Sequence, residues 1–238
     1  MIALVRYQTA ILLRSHRWVF PLIFYGLLIS VGAASSMPLA EGLAWSAAML
    51  VPVVAFLTRS MLTAEPDAAR ACVAAAAGPG RAQLAALLTA LGGGLLLGVA
   101  GAAFDVLTAE SVAEHPGSGV TGKVAAAFGH PGILAAGLVT AAVCLLVGSA
   151  VGALCNPPLL RHPGAAMLAT LAAAVFALAA GVSPASAALR HASVAQAARS
   201  RGAQWPGVLP LVGAACLLAI AWTASVLVAA RREKSLPS

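Results

Sequence analysis

Apolar residues run in long blocks along this chain, separated by short stretches that hold most of the charge. Six blocks stand out: Trp18–Ala34, Leu43–Leu62, Leu84–Leu107, Gly132–Leu154, Ala165–Val182 and Val208–Ala230. Each has about the 17–25 residues that an α-helix needs to cross a hydrocarbon core. A helix also satisfies its own backbone where no water is available. The pattern therefore predicts an all-α polytopic membrane protein with six transmembrane helices.

The intervening segments complete a single transmembrane domain over residues 1–238. Residues 1–17 precede the first crossing, and residues 18–62 hold crossings one and two. Residues 63–81 form a connecting segment and 82–107 the third crossing. An outer loop follows at 108–131, then crossings four and five at 132–182. A second outer, helical segment spans 183–207, crossing six spans 208–230, and residues 231–238 are a tail. In the first 17 residues, Arg6, Arg14 and Arg17 share one side of a helical wheel, and Leu4, Val5, Ile11 and Leu12 lie opposite. Ile2 and Leu13 break the pattern, but a helix lying in the membrane interface accounts for the rest. The third and fourth crossings carry Gly94-x-x-x-Gly98 and Gly148-x-x-x-Gly152, a spacing that lets helix backbones approach closely. It is read as packing.

Composition supports the same class. The chain is 61% hydrophobic and 9% charged, with a mean hydropathy of +0.95, whereas a soluble domain carries about 25% charged residues. The net charge of +7 bears on topology and gives no reason to expect a nucleic acid. With six crossings, one side of the membrane holds Arg6, Arg14, Arg17, Arg59, Arg70, Arg81, Arg161, Arg231, Arg232 and Lys234. The other holds Lys123, Arg190, Arg199 and Arg201. The excess predicts both termini in the cytoplasm. No cleaved signal peptide is expected. Cys72, Cys144, Cys155 and Cys216 form no C-x-x-C and none falls in an outer loop, so they are expected to be buried apolar residues without disulfides.

The stretch Thr63–Leu91 is the most informative. Glu65 and Asp67 suit the first turn of a helix, where N–H groups are unpaired, and Pro66 is tolerated there. Ala68 to Ala77 is a strong helix former. Gly78-Pro79-Gly80 then stops the helix, and Arg81 leads into crossing three. A short cytosolic helix tied to a crossing at each end is suited to receive a push from a soluble partner. An ordinary connecting loop fits the same residues.

In this arrangement the chain resembles the ABC-2-type exporter permeases. The local match is Glu65 through Leu88, where Glu65, Arg70, Pro79 and Arg81 take the places of the family's acidic-basic helix start, small-Pro break and following basic residue. The family often has a denser charge cluster than the "EPDAAR" present here. The topology matches over the whole chain, closest to the short permeases of actinobacterial drug or antibiotic exporters. The resemblance implies a dimer, with a second copy or a sister permease, and two separate ATPase subunits that carry ATP and Mg. Residues 63–81 would then be the coupling segment, with Glu65, Asp67, Arg70 and Arg81 as its ATPase contacts. The implied location is the bacterial plasma membrane, and the implied activity is export of a hydrophobic or amphipathic small molecule, peptide or lipid-like substrate. A non-transport membrane scaffold, sensor or immunity protein is the alternative.

Other chemistry is sparse. Asp105, near the end of the third crossing, is an ionisable residue in an apolar segment and therefore a candidate for a substrate path; reaching the headgroups is its simpler reading. His16, His115, His130, His162 and His191 have no i, i+4 pairing, so neither a metal nor a cofactor is expected in this chain. No catalytic residue is expected either. Gly117–Lys123 spells G-x-x-x-x-G-K, but Val124 replaces the magnesium-binding Ser or Thr, and "AESVAEHP" before it is not a buried strand. That match is assigned to chance. Crossings without midplane carboxylates argue against transport driven by protons or sodium.

Overall fold

The computed structural model describes residues 1–16, 18–35, 37–65, 67–108, 124–125, 127–129, 131–155, 163–180, 183–197 and 208–233. All regular structure among them is helical. The long helices are α1 (Ile2–Ser15), α2 (Val19–Ala34), α3 (Leu39–Leu62), α4 (Asp67–Ala77), α5 (Pro79–Thr108), α6 (Pro131–Leu154), α7 (Pro163–Ala179), α8 (Pro184–Ala197) and α9 (Val208–Glu233). The described parts of the six apolar blocks fall within α2, α3, α5, α6, α7 and α9, apart from Trp18 and Ala180. The matched G-x-x-x-x-G-K at 117–123 lies outside the described residues.

Among the described residues, three helices are long and apolar enough to cross a membrane: Leu39–Leu62, Gly80–Thr108 and Pro131–Leu154. At about 1.5 Å per residue, the 24 residues of α3 exceed the hydrocarbon thickness of roughly 30 Å. Two bent pairs raise the number to five if each is one span. In the first, α1 and α2 meet at 75°. His16 ends α1 in the left-handed conformation (φ 54°), so the chain turns instead of continuing the helix. In the second, Met167–Ala179 and Pro184–Arg190 meet at 45°. The protein is a multi-pass helical membrane protein by these criteria.

Helix α3 is the axis of the bundle. It packs against α2, α5, α6, α7 and α8, and Ala47, Val51, Val54 and Ala55 are wholly buried. Helix α6 comes closest. A Cβ added to Gly148 would stand 2.7 Å from the Val51 carbonyl oxygen, and one on Gly152 would collide with the Ala55 carbonyl. The pair is a backbone-to-backbone contact surface, as the spacing predicted. Gly94 and Gly98 likewise receive Val54 and Leu50 of α3. Pro52 lies inside α3, beside this contact. Its missing N–H is tolerable where neighbouring helices support the backbone.

Two polar bonds fasten α2 to α3. The Trp45 indole N–H donates to the Leu28 carbonyl at 3.0 Å, and the Tyr25 hydroxyl to the Ser46 carbonyl at 3.4 Å. Opposite the core, Phe20, Ile23, Leu27, Leu96, Leu168, Phe176, Ile220 and Leu227 are among many exposed large apolar side chains. Such a surface suits lipid.

One expectation needs correction. Of the cysteines, Cys144 is buried, but Cys72 and Cys216 are exposed; each sits on the outer side of a helix whose packed face is elsewhere. Helix α8, in the expected outer segment, packs into the bundle. Its Ala185 and Ala188 are buried in one cluster with Ala47, Val51 and Val143, because only small side chains let the helix settle into the core. Arg190 is on its exposed side; Arg199 and Arg201 lie outside the described residues.

Candidate functional site

The connecting segment lies at one end of the bundle, between the C-terminus of α3 and the N-terminus of α5. Helix α4 ends at Ala77, and Gly78 adopts φ 86°, a conformation that only glycine takes at little cost. Pro79 then opens α5, where its fixed φ and missing N–H are harmless. Nothing lies within 4 Å of the Cβ that Gly78 lacks, so the backbone angle alone requires the glycine. The predicted break is therefore a hinge-like corner between α4 and α5, and α4 packs along α5 beyond it.

The four expected contact residues separate in this setting. Glu65 is buried, 8% exposed. Its Oε1 accepts a hydrogen bond from Gln8 Nε2 at 2.8 Å, and Gln8 is 2% exposed. Arg81, in the first turn of α5, is exposed. Asp67 begins α4 and Arg70 follows on it; their side chains lie outside the described ones. Arg59, one turn before the end of α3, is also buried. The structure thus brings Glu65 to the N-terminal helix and leaves Arg81 on the surface.

Gln8 is the residue that sequence reasoning missed. The packed face of α1 consists of Leu4, Val5, Gln8, Ile11 and Leu12, with Gln8 and Leu12 buried. Gln8 is the central position of the apolar stripe and its one buried polar residue. Polarity at the centre of an apolar face calls for a buried partner, and that signal was available. Which partner it would find was not. Around the bond, Leu12 packs with Leu57, Met61 and Ala90 and against Trp18. Water is excluded from this setting, which strengthens a hydrogen bond to a carboxylate.

Asp105 lies at the opposite end of the bundle, far from Glu65. It is 7% exposed and lies over Gly42 of α3, with the Ser46 side chain in hydrogen-bonding reach. Tyr25 of α2 presses its hydroxyl onto Gly101, one turn before Asp105. The expectation that Asp105 simply reaches outward is not met. It continues the packed stripe Gly94, Gly98, Gly101 at helical spacing, and so faces inward. Its Oδ2 is buried without a hydrogen-bond partner among the described residues. The chain matches no family model, no curated protein and no solved structure.

Proposed function

We propose that this chain is the membrane-embedded permease subunit of an ATP-driven exporter, working as a dimer with a second copy or a sister permease. In this reading six helices, α2, α3, α5, α6, α7 and α9, cross the bacterial plasma membrane with both termini inside. Helix α1 lies in the inner interface, and α4 is the coupling helix. ATP and Mg belong to partner ATPase subunits.

The observation that carries the reading is the seating of the α4 segment. It is a short helix between two long spanning helices, bounded by a glycine corner on one side and tied to α1 through Gln8–Glu65 on the other. A push on α4 would reach α1, α3 and α5 together, because each is packed or bonded to this corner. The crossings carry few ionisable side chains, which fits an engine located elsewhere.

Inspection of the neighbouring genes for a soluble ATPase, followed by co-purification with it, tests the reading. The exposed Arg81 is the position to reverse in charge. Arg81→Glu is expected to reduce ATPase recovery and export while leaving the folded protein intact. A chain that recovers no ATPase, or whose ATPase docking ignores substitutions at Asp67, Arg70 and Arg81 alike, is a membrane scaffold, sensor or immunity protein instead.

A further inference from the structure

The end of the bundle away from α4 contains a small cleft lined by Gly32, Ala33, Trp45, Gly42, Asp105 and Thr108, and extending to the α2–α3 turn. Three features give it a chemical character. The first is the carboxylate. Asp105 is more than nine-tenths buried, and Oδ2 has no partner among the described residues. Its neighbour Ser46 has one proton to give, and that hydroxyl is also placed to donate to the Leu43 carbonyl at 3.2 Å. A carboxylate with so little support in apolar surroundings is costly.

The second feature is the Trp45 indole. It is held by its bond to Leu28 and laid against Gly32, where an added Cβ would stand 2.6 Å from the ring. The ring forms one wall of the cleft. The third is the helix ends. Helices α2 and α5 both terminate here, at Ala34 and Thr108, and bring the negative ends of their dipoles. The N-termini of α3 and, through Ile133 and Leu134 packed against Leu39 and Leu43, of α6 lie at this end and oppose them. No Arg or Lys is among the described lining residues.

The combination selects among cations. Divalent ions require about six oxygen ligands, and the cleft offers one carboxylate and few other oxygens. A primary ammonium needs less: a carboxylate for its charge and N–H donors, and an aromatic face for cation–π attraction. The space is about that of one water molecule, which suits an –NH3+ head and not a quaternary one. Leu27 and Val31, exposed on α2 beside Gly32, would offer an apolar body a resting place.

We propose that this cleft binds the protonated primary amine of an amphipathic molecule, with Asp105 Oδ2 as its acceptor and the Trp45 ring as its wall. The proposal gives the exporter's substrate path a chemical class and rests on that reading for its physiological sense only; the binding itself can be measured without a partner.

The test uses the full chain in lipid nanodiscs, with Trp18, Trp205 and Trp222 changed to Phe so that Trp45 reports alone. Hexylammonium is expected to change its fluorescence saturably. Hexan-1-ol is expected to give no saturable change, and hexyltrimethylammonium to bind at least tenfold more weakly. Asp105→Asn, close in shape to the parent, is expected to weaken hexylammonium at least tenfold, and Asp105→Glu by less. Equal responses to hexylammonium and hexan-1-ol, or unchanged affinity in Asp105→Asn, would overturn the proposal. The ligand series on the unaltered Asp105 decides even if the Asn variant does not fold. Failure here leaves ATPase recovery untouched, and failure of ATPase recovery leaves amine binding untouched, so the two readings fall separately.

Discussion

Gln8 and Glu65, 57 positions apart in the chain, meet in a buried hydrogen bond of 2.8 Å that joins the N-terminal helix to the start of the connecting segment. Breaking it from the Gln8 side removes one hydrogen bond from a buried carboxylate. Gln8→Leu is expected to cost about 1.5–3 kcal/mol, the range for losing a hydrogen bond to a charged group. Gln8→Leu with Glu65→Leu is expected to cost less than the sum of the two single changes. Thermal unfolding of the four proteins in a double-mutant cycle measures this; strict additivity would mean the bond contributes nothing.

Glu65 and Arg81 are expected to respond in opposite ways. Glu65→Lys places a cation in a buried site and is expected to lower stability by several kcal/mol. Arg81→Glu changes an exposed charge and is expected to stay within about 0.5 kcal/mol. Unfolding midpoints, read beside ATPase recovery, distinguish a residue that holds the corner from one that contacts a partner.

The glycines divide in the same fashion. Gly152→Ala drives a methyl group into the Ala55 carbonyl and Thr58, and overpacking of this kind costs about 1–3 kcal/mol. Gly92→Ala, with nothing within 4 Å, is expected to be neutral or to stabilise α5 by about 0.5–1 kcal/mol. Resistance to thermal or detergent unfolding gives the comparison.

Gly78→Ala meets no atom but must hold φ 86°, a cost of about 1–2 kcal/mol for a residue with a Cβ. Gly78→Asn is expected to lose less, since Asn visits this region more readily. In the exporter reading, both variants should reduce coupling between ATP hydrolysis and export more than they reduce folding.

Cysteine reactivity reports the solvent of each surface. Cys72 on α4 and Cys216 on α9 are both exposed, and Cys144 is buried. Maleimides need a thiolate, which forms in water and not in hydrocarbon. In membranes, Cys72 is expected to label, and Cys216 and Cys144 to remain unlabelled. Labelling of Cys216 at the rate of Cys72 would place α9 in water and rule out its crossing.

Some of this was legible early. The Gly78-Pro79 corner needs only local chemistry, and the pair Gly94 and Gly98 marked a packed face of α5, which the structure extends to Gly101. Asp105 fell on the same stripe, and Gln8 stood in the middle of an apolar one. Both could have been read as buried. The burial of α8 could not, because its alanines suit a surface helix and a packed one equally well.

The sequence by itself determined the helices, their breaks and the apolar solvent they require, since long apolar blocks, Gly-Pro punctuation and helix-forming runs act within a few residues. Only the tertiary structure decided which faces meet. It joined Glu65 to Gln8, set Asp105 beside Ser46 and Trp45, and turned α8 into the core. The physical reason is that lipid and protein interior are nearly equally apolar. Hydrophobicity therefore fixes that these helices form without fixing where they point; close packing at glycines and the few buried polar bonds do that.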